Sequence, residues 1–277
     1  MTSFMMPHVY GRLIPENLNI VFKNDGELNP KINYTLANYL TMASKASEQY
    51  SEIWDTMSKI TNMYENLGDK PKIYYDTCEI LNIFKLSTEN TATEFNDHNM
   101  IQNDHNMIHT VIEIIYNSKK GNNKIIKIGN IFSQVSVDCV YILSLCFNEV
   151  YIYKPASSPA ISSEKYVVCK DFKLISTEYL KPVFNKILYD LKMSQTGGCV
   201  SLYTRRINNN YMNTLIEANS VIGQQQLEAI NNTITLIEQG KKREKIEALK
   251  RQQITRSSEW HKKFGVNGQQ YSQEMEM

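Results

Sequence analysis

Two charged residues stand inside or beside apolar segments near the middle of the chain, and their chemistry is complementary. Lys127 interrupts the run IIKI at residues 125–128, and Glu164 comes just before the run YVVC at residues 166–169. A charge in an otherwise buried strand is costly unless a partner or a reaction uses it. An ammonium group can stabilise an alkoxide that develops on an attacking hydroxyl, and a carboxylate can hold that ammonium in place. The alternative is a purely structural ion pair, because its disruption would cost about 3 to 5 kcal/mol.

The segment from Lys124 to Lys170 predicts the elements that position these two residues. Helical periodicity runs over residues 132–147, β-branched and aromatic residues follow at 150–153, and the loop KPASSPAISSE occupies 154–164. This loop is too polar and too rich in Ser and Pro to continue a strand. The segment is therefore predicted to fold as strand, helix, strand, loop and strand.

This order of elements, with IIKI, VYIYKP, the serine-rich loop and SSEKYVVC in place, resembles the C-terminal half of the FtsJ-like methyltransferases. The resemblance covers about Asn62 to Lys173 and is strongest to the cap-directed branch of eukaryotes and large cytoplasmic DNA viruses. It implies methyl transfer from S-adenosylmethionine to a ribose 2′-hydroxyl of RNA by a tetrad of lysine, aspartate, lysine and glutamate. By this resemblance Lys127 is the principal hydroxyl-activating group, and Glu164 holds its geometry and charge.

The other two members of the tetrad are altered. In the family the first lysine lies on the helix before the first strand, and the resemblance of ITNMYENL to that helix places Asn62 there, with Lys59 about one turn earlier as the alternative. No segment in residues 87–109 reads as a strand that ends in the family's aspartate motif. The first strand and Lys127 are separated by only about fifty residues, too few for three further strands at roughly 30 residues per βαβ unit.

The cofactor motif is altered as well. A first strand is predicted near Ile73, and DTCEILNIF then stands where the family has a turn resembling DLCEAPGGF. The resemblance assigns cofactor contacts to Asp76, Cys78 and Glu79. Ile83 stands in place of a glycine, and a β-branched side chain disfavours positive φ angles and would occupy cofactor space. S-adenosylmethionine is expected if the chain is active, and no cofactor if it is degenerate.

By the same resemblance, contacts to RNA fall on the serine-rich loop, at Lys154, Ser157, Ser158 and Ser163. Pro159 stands where relatives commonly have an arginine that can meet a phosphate, and proline cannot replace it. The loop is therefore predicted to keep part of an RNA-contacting surface.

Composition limits the function classes. The chain has 277 residues, is 42% hydrophobic and has a formal net charge of +1. It can bury one sizeable α/β core, but it has no global basic field to steer RNA. Five scattered cysteines predict reduced thiols in an intracellular protein, and neither a signal peptide nor a run of roughly 18 apolar residues is present. A cytoplasmic protein is expected, in the host cytoplasm or the virion if it is viral.

A histidine-rich segment allows a metal site as a minor alternative. His98, His105 and His109 are separated by helical turns, as metal ligands on a helix would be. The favoured interpretation places His105 and His109 on the polar side of a helix that ends near Gly121, and no metal is expected.

We expect an α/β fold, built on a reduced Rossmann-like methyltransferase sheet. Its strands are predicted near Ile73, Ile125, Val150 and Tyr166, the first three parallel. The last strand should be antiparallel, because its connection is too short for a crossover helix. A sheet with so few strands has an edge that must be covered by a helix or a partner.

Three regions are expected along the chain: an irregular and helical region over 1–67, a reduced methyltransferase domain over 68–175, and a helical extension over 176–277. Within the first region, residues 1–30 should be irregular and 31–67 should form one long helix or two. In the extension, residues 241–251 predict a solvated helix face, with an RNA-contacting ridge as the alternative. Three aromatic residues are predicted to pack rather than to stack on bases, namely Tyr203, Tyr211 and Trp260.

Three hypotheses follow for function. The favoured one is a catalytically degenerate family member that acts as a binding or scaffold subunit of an RNA-processing or virion complex. Its protein partner or second copy would bind the sheet edge or an apolar stripe on the C-terminal helix. The alternative is an active RNA 2′-O-methyltransferase that uses Lys127 and Glu164. A third is an unrelated small α/β domain.

Overall fold

The computed structural model describes residues 1–23, 32–94, 104–194, 198–239 and 243–264. Within these ranges the strands are β1 (Thr2–Met5), β2 (Leu18–Lys23), β3 (Thr91–Glu94), β4 (Asn123–Ile128), β5 (Phe147–Lys154), β6 (Lys165–Phe172) and β7 (Gly198–Tyr203). The helices are α1 (Tyr34–Glu48), α2 (Ser51–Thr61), α3 (Lys72–Phe84), α4 (Asp104–Asn117), α5 (Gln134–Cys146), α6 (Lys181–Met193), α7 (Asn209–Glu238) and α8 (Arg243–Phe264).

A five-stranded sheet in the order β1, β5, β6, β4, β3 forms the centre of the fold, and β2 pairs with β7 in a separate ribbon. Strand β6 is antiparallel to both β4 and β5, and β3 is parallel to β4. Strands β4 and β5 therefore run in the same direction, with the returning β6 between them. The predicted α/β class and the antiparallel last strand are confirmed.

The best-predicted part of the chain is the run from β4 to β6. Helix α5 begins after Ser133, whose Oγ accepts a hydrogen bond from the N–H of Ser136 at 3.1 Å, as an N-cap serine does. Residues 135–146 of this helix are all buried. A helix that is apolar on every side fits only inside a core, so α5 packs between the sheet and the small ribbon.

The prediction of a strand near Ile73 is wrong, because residues 72–84 form helix α3. The short run IYY suggests a strand, but the buried positions Tyr75, Glu79, Ile80 and Phe84 recur at helical spacing. Tertiary burial of that face outweighs the weak β propensity of three residues.

Three segments predicted without strands contain them. Residues 2–5 and 18–23 are extended rather than irregular, residues 91–94 form a strand where none is predicted, and residues 198–203 form β7 inside the predicted helical extension. Strand β1 pairs with β5 in register from Thr2 opposite Lys154. The edge of β5 is thus paired with another strand of the same chain, which satisfies its backbone hydrogen-bonding groups. The local sequence pattern does not predict this pairing.

The chain forms two compact units. Unit 1 comprises residues 1–38, 87–154 and 163–223, and unit 2 comprises 39–86, 155–162 and 224–277. Unit 1 contains the sheet and a large apolar core around α4 and α5. Unit 2 is helical and holds a smaller cluster formed by Leu67, Tyr75, Trp260 and Phe264. In the part of the chain that the structure describes, no helix is long and apolar enough to cross a membrane.

Candidate functional site

The ion pair predicted from the sequence lies in unit 1. The Nζ of Lys127 is 2.8 Å from the Oε1 of Glu164, and the two side chains are 19% and 26% exposed. Lys127 projects from β4 at the position opposite Tyr166 of β6, which brings it near Glu164, the residue directly before that strand. The pair is therefore formed, and it is partly open to solvent.

Two further lysines surround this pair. The Nζ of Lys154, at the end of β5, donates to the backbone oxygen of Glu164 at 2.6 Å. The Nζ of Lys165 donates to the backbone oxygens of Gly129 at 2.8 Å and Ser163 at 3.0 Å. Both side chains are buried. Burial, and secondly the charge of Lys154, lower the pKa of Lys165 to about 7.

Lys165 was missed by the sequence analysis. Its signal was present, because a lysine directly before the apolar run YVVC requires an explanation in the same way as Lys127. Its hydrogen bonds join the chain just after β4 to the chain just before β6, so it fixes the two segments that hold Lys127 and Glu164. It is a positioning residue for the pair.

The ion pair yields a first prediction. Replacement of Lys127 by Met, or of Glu164 by Gln, removes one partner of a partly buried pair, and each should lower the free energy of unfolding by about 1 to 3 kcal/mol. The double variant should lose less than the sum of the two, with a coupling of at least about 1 kcal/mol. Urea unfolding of the four proteins measures this cycle. Strict additivity would show that the pair contributes nothing to stability.

The predicted cofactor residues lie on helix α3 of unit 2. Glu79 is fully buried and accepts hydrogen bonds from the N–H groups of Ala156 at 2.8 Å and Ser157 at 3.2 Å, and from the indole N–H of Trp260 at 2.7 Å. The hydroxyl of Ser157 donates to Asp76, which is also buried. Both carboxylates therefore hold the serine-rich loop in place.

This geometry does not fit S-adenosylmethionine at residues 76–84. A turn of glycines would let the backbone approach the cofactor, whereas α3 is a continuous helix to Phe84. Cys78 is half-buried, and burial raises the pKa of its thiol. Ile83 packs against the apolar cluster around Trp260. The side chains that the resemblance assigns to the cofactor thus have structural partners inside unit 2.

The residues predicted to contact RNA are mostly enclosed. Ser157 and Ser158 are 1% and 3% exposed, and Lys154 is 6% exposed. Ser163 is half-buried, and its carbonyl accepts from Lys165. This burial does not favour contacts from these side chains to RNA, which stay a prediction. Lys154 and Ser163 belong to unit 1, whereas the two serines belong to unit 2.

The residues at the position of the family's first lysine lie near the end of α2, also in unit 2. Lys59 is exposed and pairs with Asp55 at 2.8 Å, and the amide of Asn62 donates to Glu65 at 2.8 Å. The end of this helix is held by Gln253 of α8, whose Nε2 lies 2.8 to 2.9 Å from three backbone oxygens of residues 59–62. No local sequence pattern indicates this contact.

The prediction that the aromatic residues pack is confirmed for Tyr211 and Trp260. Tyr211 is fully buried and bonds to Ser144 at 2.8 Å, and Trp260 is 3% exposed. In α4 the imidazole of His109 lies 3.4 Å from Glu113 at the surface, as expected for a polar helix face. His98 lies outside the described residues. Among those described, no group of three or more His, Cys, Asp or Glu side chains could hold a metal ion.

A family model described as FtsJ-like methyltransferase matches residues 75–172. These residues are similar to that family. The match begins within α3 and contains the sheet strands β3 to β6 and the pair of Lys127 and Glu164. The expected resemblance is therefore confirmed over these residues.

Individual relatives agree with this family. An uncharacterized protein of Acanthamoeba polyphaga mimivirus is 25% identical over 68% of this chain and 51% of its own length. Two Caenorhabditis briggsae proteins are each 29% identical over 39% of this chain. One is cap-specific mRNA (nucleoside-2'-O-)-methyltransferase 1A, and the match covers 13% of its length. The other is the inactive cap-specific mRNA (nucleoside-2'-O-)-methyltransferase 1B, and the match covers 14% of its length. The chain thus spans about half or much less of these relatives. Since a relative named as a methyltransferase and one named as inactive match this chain equally, identity does not decide its activity.

Proposed function

We propose that this FtsJ-like chain is a catalytically degenerate homologue of mRNA cap 2′-O-methyltransferases that works as a binding or scaffold subunit. The supporting observation is helix α3, in which Asp76 and Glu79 are buried and hydrogen-bonded to the serine-rich loop and Trp260. A methyltransferase must bind and orient its methyl donor before any hydroxyl can react. The residues at the family's cofactor motif are used instead to build unit 2.

The retained pair of Lys127 and Glu164 agrees with this proposal. Loss of either residue would leave a partly buried charge without its partner, so a protein without activity still has a physical reason to keep both. Lys154 gives a further structural reason to keep this segment in place, because its buried Nζ donates to the backbone oxygen of Glu164.

The partly open pair also supports a second candidate, an active RNA 2′-O-methyltransferase. In that case the Lys127 ammonium would stabilise the alkoxide that develops on the ribose, and Glu164 would orient it. This alternative requires S-adenosylmethionine to bind through residues other than Asp76, Cys78 and Glu79. The two candidates therefore differ in one measurable property, which is cofactor binding.

Calorimetric titration with S-adenosylmethionine and S-adenosylhomocysteine tests the proposal. We expect no saturable binding up to about 1 mM ligand, which limits the binding free energy to weaker than about −4 kcal/mol. The Ile83→Gly variant tests whether the side chain alone blocks the cofactor, and an active cap methyltransferase titrated in parallel is the positive control. Saturable binding by the wild type, with methyl transfer to RNA that Lys127→Ala abolishes, would overturn the proposal.

We also propose the cellular complex in which this binding role operates. The relatives include cap-specific mRNA methyltransferases, and a mimivirus protein matches 68% of the chain. An RNA-processing or virion complex in the cytoplasm is therefore the setting that we propose, with RNA or a protein as the partner. Co-purification of the tagged chain from its native cells, with and without ribonuclease, separates these partners.

A further inference from the structure

A groove between α2 and α8 of unit 2 has not been used by the function described so far. It encloses about 370 Å³ and is lined by Lys59 and Ile60 on one side and by Lys250 and Ile254 on the other. Gln253 lies at its base with its amide nitrogen directed to the end of α2, and its oxygen accepts from Asn66. Hydrogen bonds within the protein therefore hold the two walls of the groove in place without a ligand.

The helix on one side of this groove carries a concentrated positive charge. Between residues 243 and 264 there are seven Lys or Arg and three Glu, a net charge of +4. The whole chain has a net charge of +1, so the remaining residues sum to −3. An exposed helix that differs so much from the rest of a nearly neutral protein creates a local positive potential.

Several of these cations are not used by the fold. Arg243 and Arg256 pair with glutamates one turn away, as on an ordinary solvated helix. Lys250, Arg251 and Lys262 are exposed, and within the described ranges the side chain of none of them has a hydrogen-bond or ion-pair partner. On the helix they lie toward the same side as Ile254, and Lys250 and Lys262 are about 18 Å apart at 1.5 Å per residue. That distance spans several phosphates of an extended strand.

Two acidic residues near the groove are already neutralised. Glu65 lines it and is bonded to both Lys72 and Asn62, and Asp55 is paired with Lys59. The amide nitrogen of Gln253 is likewise committed to backbone oxygens, so the groove offers charge but few groups that could read a base. No aromatic side chain lines the groove. These features favour recognition of a phosphate backbone over recognition of a specific base sequence.

We propose that the exposed cationic face of α8 binds the phosphate backbone of RNA through Lys250, which lines the α2–α8 groove, and through Arg251 and Lys262, which lie outside it on the same helix. This inference rests on the proposed binding role and names its ligand. The contacts are electrostatic and independent of sequence, so affinity falls as salt rises. An acidic protein segment is the competing ligand, and the exposed Ile254 would then contribute an apolar contact that RNA does not need.

Fluorescence anisotropy of a labelled 12-nucleotide oligouridylate, titrated with the full chain at several salt concentrations, tests the site. The triple variant Lys250→Gln, Arg251→Gln and Lys262→Gln should bind about tenfold or more weakly at low salt. The slope of log K against log salt should also decrease by roughly 2, since three contacts are lost at about 0.7 each. The substituted residues are exposed, so circular dichroism should be unchanged.

A matched variant controls for general charge. Lys45→Gln, Lys119→Gln and Lys120→Gln remove the same charge from exposed positions elsewhere and should change affinity less than about threefold. Equal weakening by the two triple variants, or no RNA binding by the wild type, would overturn the proposal. Binding of a polyglutamate peptide in preference to RNA would overturn it in favour of an acidic partner. None of these measurements involves S-adenosylmethionine, so failure here is distinct from failure of the proposed loss of activity.

Discussion

The Glu79→Ala variant is expected to lower the free energy of unfolding by about 3 kcal/mol or more. Glu79 is fully buried and accepts three hydrogen bonds, from Ala156, Ser157 and Trp260. Truncation leaves three enclosed N–H groups without an acceptor, and each costs about 1 to 3 kcal/mol. Urea unfolding followed by circular dichroism and by tryptophan fluorescence measures the loss, because Trp260 is one of two tryptophans.

Two variants control this measurement. Glu79→Gln keeps one side-chain oxygen as an acceptor and should lose less stability than the alanine variant. Glu48→Ala removes an exposed carboxylate from unit 2 and should change the free energy of unfolding by less than about 0.5 kcal/mol. A loss below about 1 kcal/mol for Glu79→Ala would mean that the carboxylate does not hold the serine-rich loop. Its retention from the family motif would then need another explanation.

The second large effect concerns the pH dependence of stability at Lys165. Burial lowers the pKa of this lysine from 10.5 in the unfolded chain to about 7 in the folded protein. Between these values the unfolded chain holds a proton that the folded protein has released, so stability due to this residue rises with pH. The slope approaches 1.36 kcal/mol per pH unit, which gives a rise of about 3 kcal/mol from pH 7.5 to pH 10. Below pH 7 both states are protonated and the contribution is constant at its lowest value.

Comparison with Lys165→Met isolates this contribution from other titrating groups. The variant loses the hydrogen bonds to Gly129 and Ser163, a cost that is the same at each pH, and it loses the titration. The difference in free energy of unfolding, wild type minus variant, should therefore increase by about 3 kcal/mol between pH 7.5 and pH 10. The exposed Lys119→Met variant should show no such increase. A constant difference for Lys165→Met would mean that Lys165 stays charged in the folded protein.

Both predictions concern residues within the stretch that matches the family. Glu79 stands at the position of the family's cofactor motif and supports unit 2, whereas Lys165 fixes the chain around the ion pair of unit 1. Stability measurements on these residues therefore test how much the residues shared with the family motif contribute to packing.

The sequence alone determined the run from β4 to β6 and the pair of Lys127 and Glu164. Those elements are set by local signals: helical periodicity in α5, β-branched runs in the strands, and a proline- and serine-rich connection too short for a crossover helix. The lysine and glutamate meet because antiparallel pairing places Lys127 opposite Tyr166, two residues after Glu164 and on the same face of the sheet.

Only the tertiary structure decided the rest of the site. Trp260 reaches Glu79 across 181 residues, and β1 completes the sheet at β5 from the other end of the chain. No local pattern encodes such contacts, because they depend on which distant surfaces are buried together. The same burial turned the segment at Ile73 into a helix, where three residues of β propensity were outweighed by the apolar face they share with Ile80 and Phe84.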